Sequence, residues 1–104
     1  MAADGFVARH EYFSAFLMYL FGDESLTRIE NGIDDRGKRC RDFYFDVPSL
    51  DAEAYLADYT AGNLSIADLK AWVTSYSRLN FICRQMHKNG DSTWTSPSWV
   101  NGRG

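Results

Sequence analysis

The chain has 104 residues, of which 45% are hydrophobic, and its 11 basic and 14 acidic side chains give a net charge of −3. That length suits one domain rather than two, and the composition is too apolar for intrinsic disorder. A sequence pI of about 5.2 excludes a basic, histone-type nucleic-acid binder. No apolar run reaches the ~18 residues that a membrane-spanning helix needs. Two cysteines are too few for a disulfide-dense scaffold.

The first residues of the chain show neither a basic segment nor a cleavage pattern, so we expect no targeting signal and a cytoplasmic protein. In a reducing compartment, Cys40 and Cys83 are expected to be free, buried thiols rather than a disulfide. No cofactor and no membrane partner are predicted.

The first predicted element is a helix over residues 9–21. Its apolar residues continue around most of the helix circumference, which is typical of a helix buried on more than one side. We therefore expect it to lie centrally in the domain or in a subunit interface. Gly22 ends it, as a glycine after a last helical turn commonly does. The stripe at helical spacing is Phe13, Phe16, Leu17 and Leu20.

A β-hairpin is predicted next, with strands over residues 26–33 and 39–47 joined by a polar turn that contains Gly37. In the second strand Phe43 and Phe45 alternate with polar residues, which indicates a half-buried antiparallel strand. The strand superficially resembles the RNP1 strand of RNA-recognition domains. It lacks the glycines of that motif, however, and only two of the four strands of that fold are evident. Phe43 and Phe45 are therefore predicted to be core residues.

Two helices follow the hairpin. Pro48 stops the strand, and Ser49 is the expected N-cap of a short helix that ends near Thr60. Ser65 is expected to open a long helix to about residue 87, because Asp68 follows at the spacing of a capping box.

The predicted order is α-β-β-α-α, an α+β fold in which a two-stranded antiparallel hairpin packs against helices. We expect residues 1–88 to form this domain and residues 89–104 to form a polar tail. That tail carries Trp94 and Trp99. Large apolar rings in a polar segment either fold back onto the core or a second copy, or act as anchors for a partner protein.

Charged residues supply two further candidate surfaces. The acidic residues Asp51, Glu53 and Asp58 precede the long helix, and with residues 1–24 they suit a basic partner. The second surface is a set of basic residues, called the basic set below, which suits phosphate groups. The members of this set near the hairpin turn are also explained by a solvated turn with local ion pairs. The basic set comprises Arg36, Lys38, Arg39 and Arg41 near the turn and Arg78, Arg84 and Lys88 in the last helix.

No catalytic constellation is evident. His10 and His87 are the only histidines, and neither stands at a recognisable spacing from a nucleophile. Cys83 and His87 are four residues apart, but two ligands do not make a zinc site. We therefore predict no catalytic residue, no metal site and no enzymatic activity.

The order of elements resembles a small domain family of unknown function found in bacterial and phage genomes. The matching pattern covers about residues 8–86, mostly at core positions, so the tail with its tryptophans lies outside it. The resemblance implies a small cytosolic protein carried by a mobile element and no catalytic residues. The matching residues are Ala15-Phe16-Leu17, Gly22, Arg36 to Arg41, Phe43-Tyr44-Phe45 and Ala54-Tyr55-Leu56 to Asn63.

These observations predict a non-enzymatic protein-interaction module. In this hypothesis a phage or mobile element encodes an inhibitor or modulator of a host defence protein, such as an anti-CRISPR protein, which acts by steric occlusion or by acidic mimicry of nucleic acid. One alternative is a nucleic-acid-associated module that uses the basic set, with affinity that falls steeply with salt. The other is a homo-oligomeric structural protein, for instance a homodimer, with an interface made by the first helix and the tail.

Overall fold

The computed structural model describes residues 5–96 and confirms the α+β class. Both strands of the hairpin begin where the sequence predicts. The elements in chain order are β1 (Phe6–Ala8), α1 (Glu11–Phe21), a 3-10 turn (Asp23–Ser25), β2 (Leu26–Ile33), β3 (Arg39–Phe45), α2 (Ser49–Ala61), α3 (Leu69–Asn89) and β4 (Thr93–Thr95).

The sheet has four strands rather than the two that the sequence predicted. Their order is β1-β3-β2-β4, and every neighbouring pair is antiparallel. The two additional strands have three residues each and pair along the outer edges of the hairpin. Main-chain pairing to β3 and β2 stabilises them, and a segment of three residues is too short to show a strand pattern in the sequence.

One face of the sheet is covered by helices and carries the core. Phe43 and Phe45 are each 2% exposed on this face, which confirms that they are core residues. Ile29 of β2 is fully buried beside Phe43, and Trp94 of β4 lies opposite Ile29 in the register. The strand therefore differs from RNP1, because Phe43 and Phe45 face the helices, whereas the RNP1 aromatic residues lie on an open sheet surface where bases stack.

Helix α1 lies centrally in the domain. Phe13 and Leu17 are fully buried, and α1 packs against α3 and the sheet of the same chain. Most of its apolar circumference is thus covered within this chain, although Leu20 of the predicted stripe is 41% exposed and Tyr12 is 57% exposed. Gly22 ends the helix, as the sequence predicted.

The helix starts differ from the expectations. Pro48, not Ser49, is in the N-cap position of α2. Helix α3 begins at Leu69, and Asp68 itself is its N-cap, with a side-chain oxygen that accepts a hydrogen bond from the Ala71 amide at 3.1 Å. Ser65 lies outside the helix. Asp68 suffices because its carboxylate satisfies one of the unpaired amides of the first turn.

Candidate functional site

An exposed apolar groove of about 590 Å³ lies between α3 and the edge strand β4. Phe81 is 63% exposed and Val73 is 45% exposed, although large apolar side chains usually avoid solvent. Burial of these side chains against a partner would be favourable, so the groove is a candidate interaction surface. The apolar groove is lined by Val73, Thr74, Ser77, Arg78, Phe81, Ile82 and Trp94.

The strand beside this groove has an open edge. The Ser92 carbonyl accepts a hydrogen bond from the Asn31 amide at 2.8 Å, and the Ser96 amide donates to the Thr27 carbonyl at 2.9 Å. Bonding alternates along an antiparallel strand, so the main-chain groups of Thr93 and Thr95 point away from β2. Among residues 5–96, no other strand pairs with β4.

Of the predicted protein-binding residues that lie within residues 5–96, only Trp94 reaches the apolar groove. Trp94 lines it and also packs against the core, so part of the ring is buried by this chain. Asp51, Glu53 and Asp58 are exposed on α2 and do not line the groove. Trp99 lies outside the described residues.

The two most exposed apolar residues of the groove, Phe81 and Val73, were not among the predicted binding residues. Val73 belongs to a stripe of apolar residues at helical spacing in α3, together with Leu79 and Cys83, whereas Phe81 falls outside that stripe. The available signal was the mismatch between Phe81 and that stripe. Leu79 and Cys83, the stripe residues two positions to either side of Phe81, are buried whereas Phe81 is exposed.

A second surface, which we call the basic cleft, lies between the hairpin and the C-terminal turns of α3. It consists of two adjoining grooves of about 530 and 710 Å³ that share Arg41 and His87. Four cationic side chains and one carboxylate line it. The cations are Arg39 and Arg41 of β3 and Arg84 and Lys88 of α3, and the carboxylate is Glu11 of α1.

The basic set is thereby divided in the structure. Four of its seven residues line the basic cleft, whereas Arg78 forms an ion pair with Asp23. Arg36 and Lys38 are exposed in the turn, where their main-chain amides both donate to an Asp34 carboxylate oxygen at 2.9 Å. Because side chains alternate between the two faces of a strand, the sequence alone places Arg39 and Arg41 on the same face of β3 as Phe43.

Cys83 lies beneath the basic cleft as a buried thiol. Burial raises its pKa from 9.0 to about 11, while Arg41 opposes and Glu11 reinforces that rise. The thiol is therefore protonated at neutral pH, and a protonated thiol is a poor nucleophile. Both cysteines are free, as predicted, although Cys40 is only partly buried. Within residues 5–96, no cluster of three or more metal-ligating side chains occurs.

On the sheet face opposite the helices, charges pair with one another. Arg9 donates to Asp42 at 2.9 Å. Arg28 pairs with Glu30 at 3.2 Å and lies 4.2 Å from the centre of the Tyr44 ring. These groups compensate each other within the chain, so this face offers an incoming ligand little net charge.

Comparisons with protein-family models, curated proteins and solved structures gave no match to this chain. The resemblance to a bacterial and phage domain family thus stays a prediction. Of the helices that the structure describes, none combines the length and the hydropathy needed to cross a bilayer.

Proposed function

We propose that this chain is a non-enzymatic protein-interaction module whose apolar groove binds an extended segment of a partner protein. The observation that carries the proposal is the open edge of β4 directly beside the exposed side chains of Phe81 and Val73. Strand addition at a sheet edge obtains affinity from main-chain hydrogen bonds and specificity from pockets for alternate side chains.

The geometry supports each part of that binding mode. The outward amides and carbonyls of Thr93 and Thr95 are the groups that an added strand bonds. Side chains of that strand alternate between the two sheet faces, and those on the helix side reach the apolar groove. Burying one large apolar side chain there contributes roughly 1.5–3 kcal/mol before the cost of ordering the segment.

The partner is therefore a protein segment with apolar residues at every second position. In the wider proposal it belongs to a host defence protein, and this chain is a cytoplasmic inhibitor or modulator encoded by a phage or mobile element that acts by steric occlusion. The exposed carboxylates of Asp51, Glu53 and Asp58 add attraction for a basic partner.

Selection of a displayed peptide library on the full chain tests the binding mode. We expect enrichment of peptides with alternating apolar residues, whose affinity is then measured by fluorescence anisotropy. Phe81→Ala is expected to lower that affinity about tenfold or more, because exposed aromatic residues dominate such interfaces. Leu50→Ala is the matched control, since Leu50 is 78% exposed on α2 and away from the groove.

Thr95→Pro separates strand addition from simple apolar contact. Proline removes the outward amide of Thr95, which does not bond β2, whereas Thr95→Ala keeps that amide. We expect weaker binding for the proline variant alone, with thermal unfolding confirming that both variants are folded. Selected peptides without alternation, or equal affinities for wild type and Phe81→Ala, refute the proposal.

A further inference from the structure

The four cations of the basic cleft differ from three other arginines of residues 5–96, which form ion pairs. Within residues 5–96 the ion pairs are Arg9–Asp42, Arg28–Glu30 and Arg78–Asp23. None of the four cleft cations takes part in them. Arg39, Arg84 and Lys88 are exposed, and Arg41 is partly exposed. Four cations and one carboxylate give the cleft a local charge of about +3, although the whole chain carries −3.

Arg41 is held in place at the centre of this cleft. Its Nε donates to the Asn31 side-chain oxygen at 3.0 Å. The guanidinium also interacts with the Cys83 side chain beneath the cleft, and its planar fork fits two oxygens of one phosphate. Glu11 lies on the α1 side of the cleft and compensates only part of the charge.

An aromatic ring lies at the end of the same cleft. Phe81 lines the groove that also contains Arg84 and Lys88, and 63% of its surface is exposed. Cationic side chains next to an exposed ring are the combination by which proteins bind single strands, because an unpaired base stacks on the ring while cations follow the backbone.

We propose that the basic cleft binds the phosphate backbone of a single-stranded nucleic acid, with Arg39, Arg41 and Arg84 each in contact with a phosphate. This site does not depend on the proposed protein-binding function. It shares only Phe81 with the apolar groove, so Thr95→Pro probes one surface and Arg84→Gln probes the other.

Fluorescence anisotropy with a labelled ten-nucleotide single strand measures this binding on the full chain. Contact with three phosphates gives a slope of about −2 for log affinity against log salt, so a fourfold rise in salt weakens binding about 20-fold. Arg39→Gln and Arg84→Gln are each expected to lower the affinity roughly threefold to tenfold and to flatten the slope by about 0.7.

Arg36→Gln is the matched control, because Arg36 belongs to the same hairpin, is exposed and loses the same charge, but does not line the cleft. We expect it to leave both affinity and slope unchanged. An equal loss for Arg36→Gln and Arg39→Gln would overturn the proposal by showing diffuse attraction to the hairpin. Absence of binding at low salt also overturns it.

Two further experiments distinguish a single strand from other phosphate-containing ligands. A duplex of the same sequence is expected to bind more weakly, since paired bases cannot stack on Phe81; tighter duplex binding contradicts a single-strand site. Inorganic phosphate at matched ionic strength is expected to compete poorly. Complete displacement of the strand by millimolar phosphate identifies a small phosphorylated compound as the ligand and overturns the assignment to a strand.

Discussion

Ser14→Ala is expected to stabilise this protein. Ser14 is fully buried in α1, and its hydroxyl oxygen has no hydrogen-bond partner. A buried polar group without a partner costs about 1–3 kcal/mol of desolvation. The substitution removes that cost because alanine has no side-chain polar atom.

Two smaller effects change the gain in the free energy of unfolding expected for Ser14→Ala. Alanine favours a helix over serine by about 0.5 kcal/mol. The lost oxygen leaves a void near one atom in size, which costs roughly 0.3 kcal/mol at the usual dependence on cavity volume. The net expectation is a gain of about 1–3 kcal/mol in the free energy of unfolding, equivalent to several degrees in Tm.

Urea unfolding followed by circular dichroism measures this gain, and an unchanged m-value shows that the two states are comparable. Ser77→Ala is the matched control because Ser77 is exposed on α3 and reports helix propensity alone. If Ser14→Ala gains no more than Ser77→Ala, the buried hydroxyl carries no penalty and the reasoning fails.

Two further stability measurements test local structure. Asp68→Ala is expected to lower the free energy of unfolding by about 0.5–2 kcal/mol in the same urea assay, because Asp68 caps α3. Ser65→Ala is expected to leave the free energy of unfolding unchanged. A larger loss for Ser65→Ala than for Asp68→Ala would instead identify Ser65 as the cap. Burial raises the pKa of Cys83 from 9.0 to about 11. The protonated thiol therefore contributes fully to the free energy of unfolding below pH 9, and this contribution is lost as the pH rises through 11. The unfolded thiol ionises first, so wild type is expected to lose roughly 2–3 kcal/mol more than Cys83→Ala over that interval. Parallel pH profiles of the two proteins would contradict a buried, protonated thiol.

Local signals in the sequence were sufficient for the hairpin and for α1. Polar turn residues with Gly37 separate β2 from β3, and the alternation of Phe43 and Phe45 identifies the buried face. Helical spacing of apolar residues and the glycine at position 22 delimit α1. These features depend on neighbours within a few residues, so periodicity and capping chemistry are enough to predict them.

The candidate surfaces needed more than local patterns. The basic cleft combines cations of β3 with cations more than forty residues later in α3, and the sequence could only list them together with Arg36, Lys38 and Arg78. Ion pairing of Arg78 with Asp23, and the fact that Arg36 does not line the cleft, became evident only from the fold.

The sequence by itself determined the α+β class, the hairpin, the order of the three helices and the core aromatic residues. Only the tertiary structure decided that β1 and β4 join the sheet, that Trp94 lies against the core beside an open edge, and that Phe81 faces solvent. The physical reason is the range of the interactions. Turns, caps and periodic faces are encoded by adjacent residues, whereas edge strands and surface grooves arise from pairing and packing between distant segments.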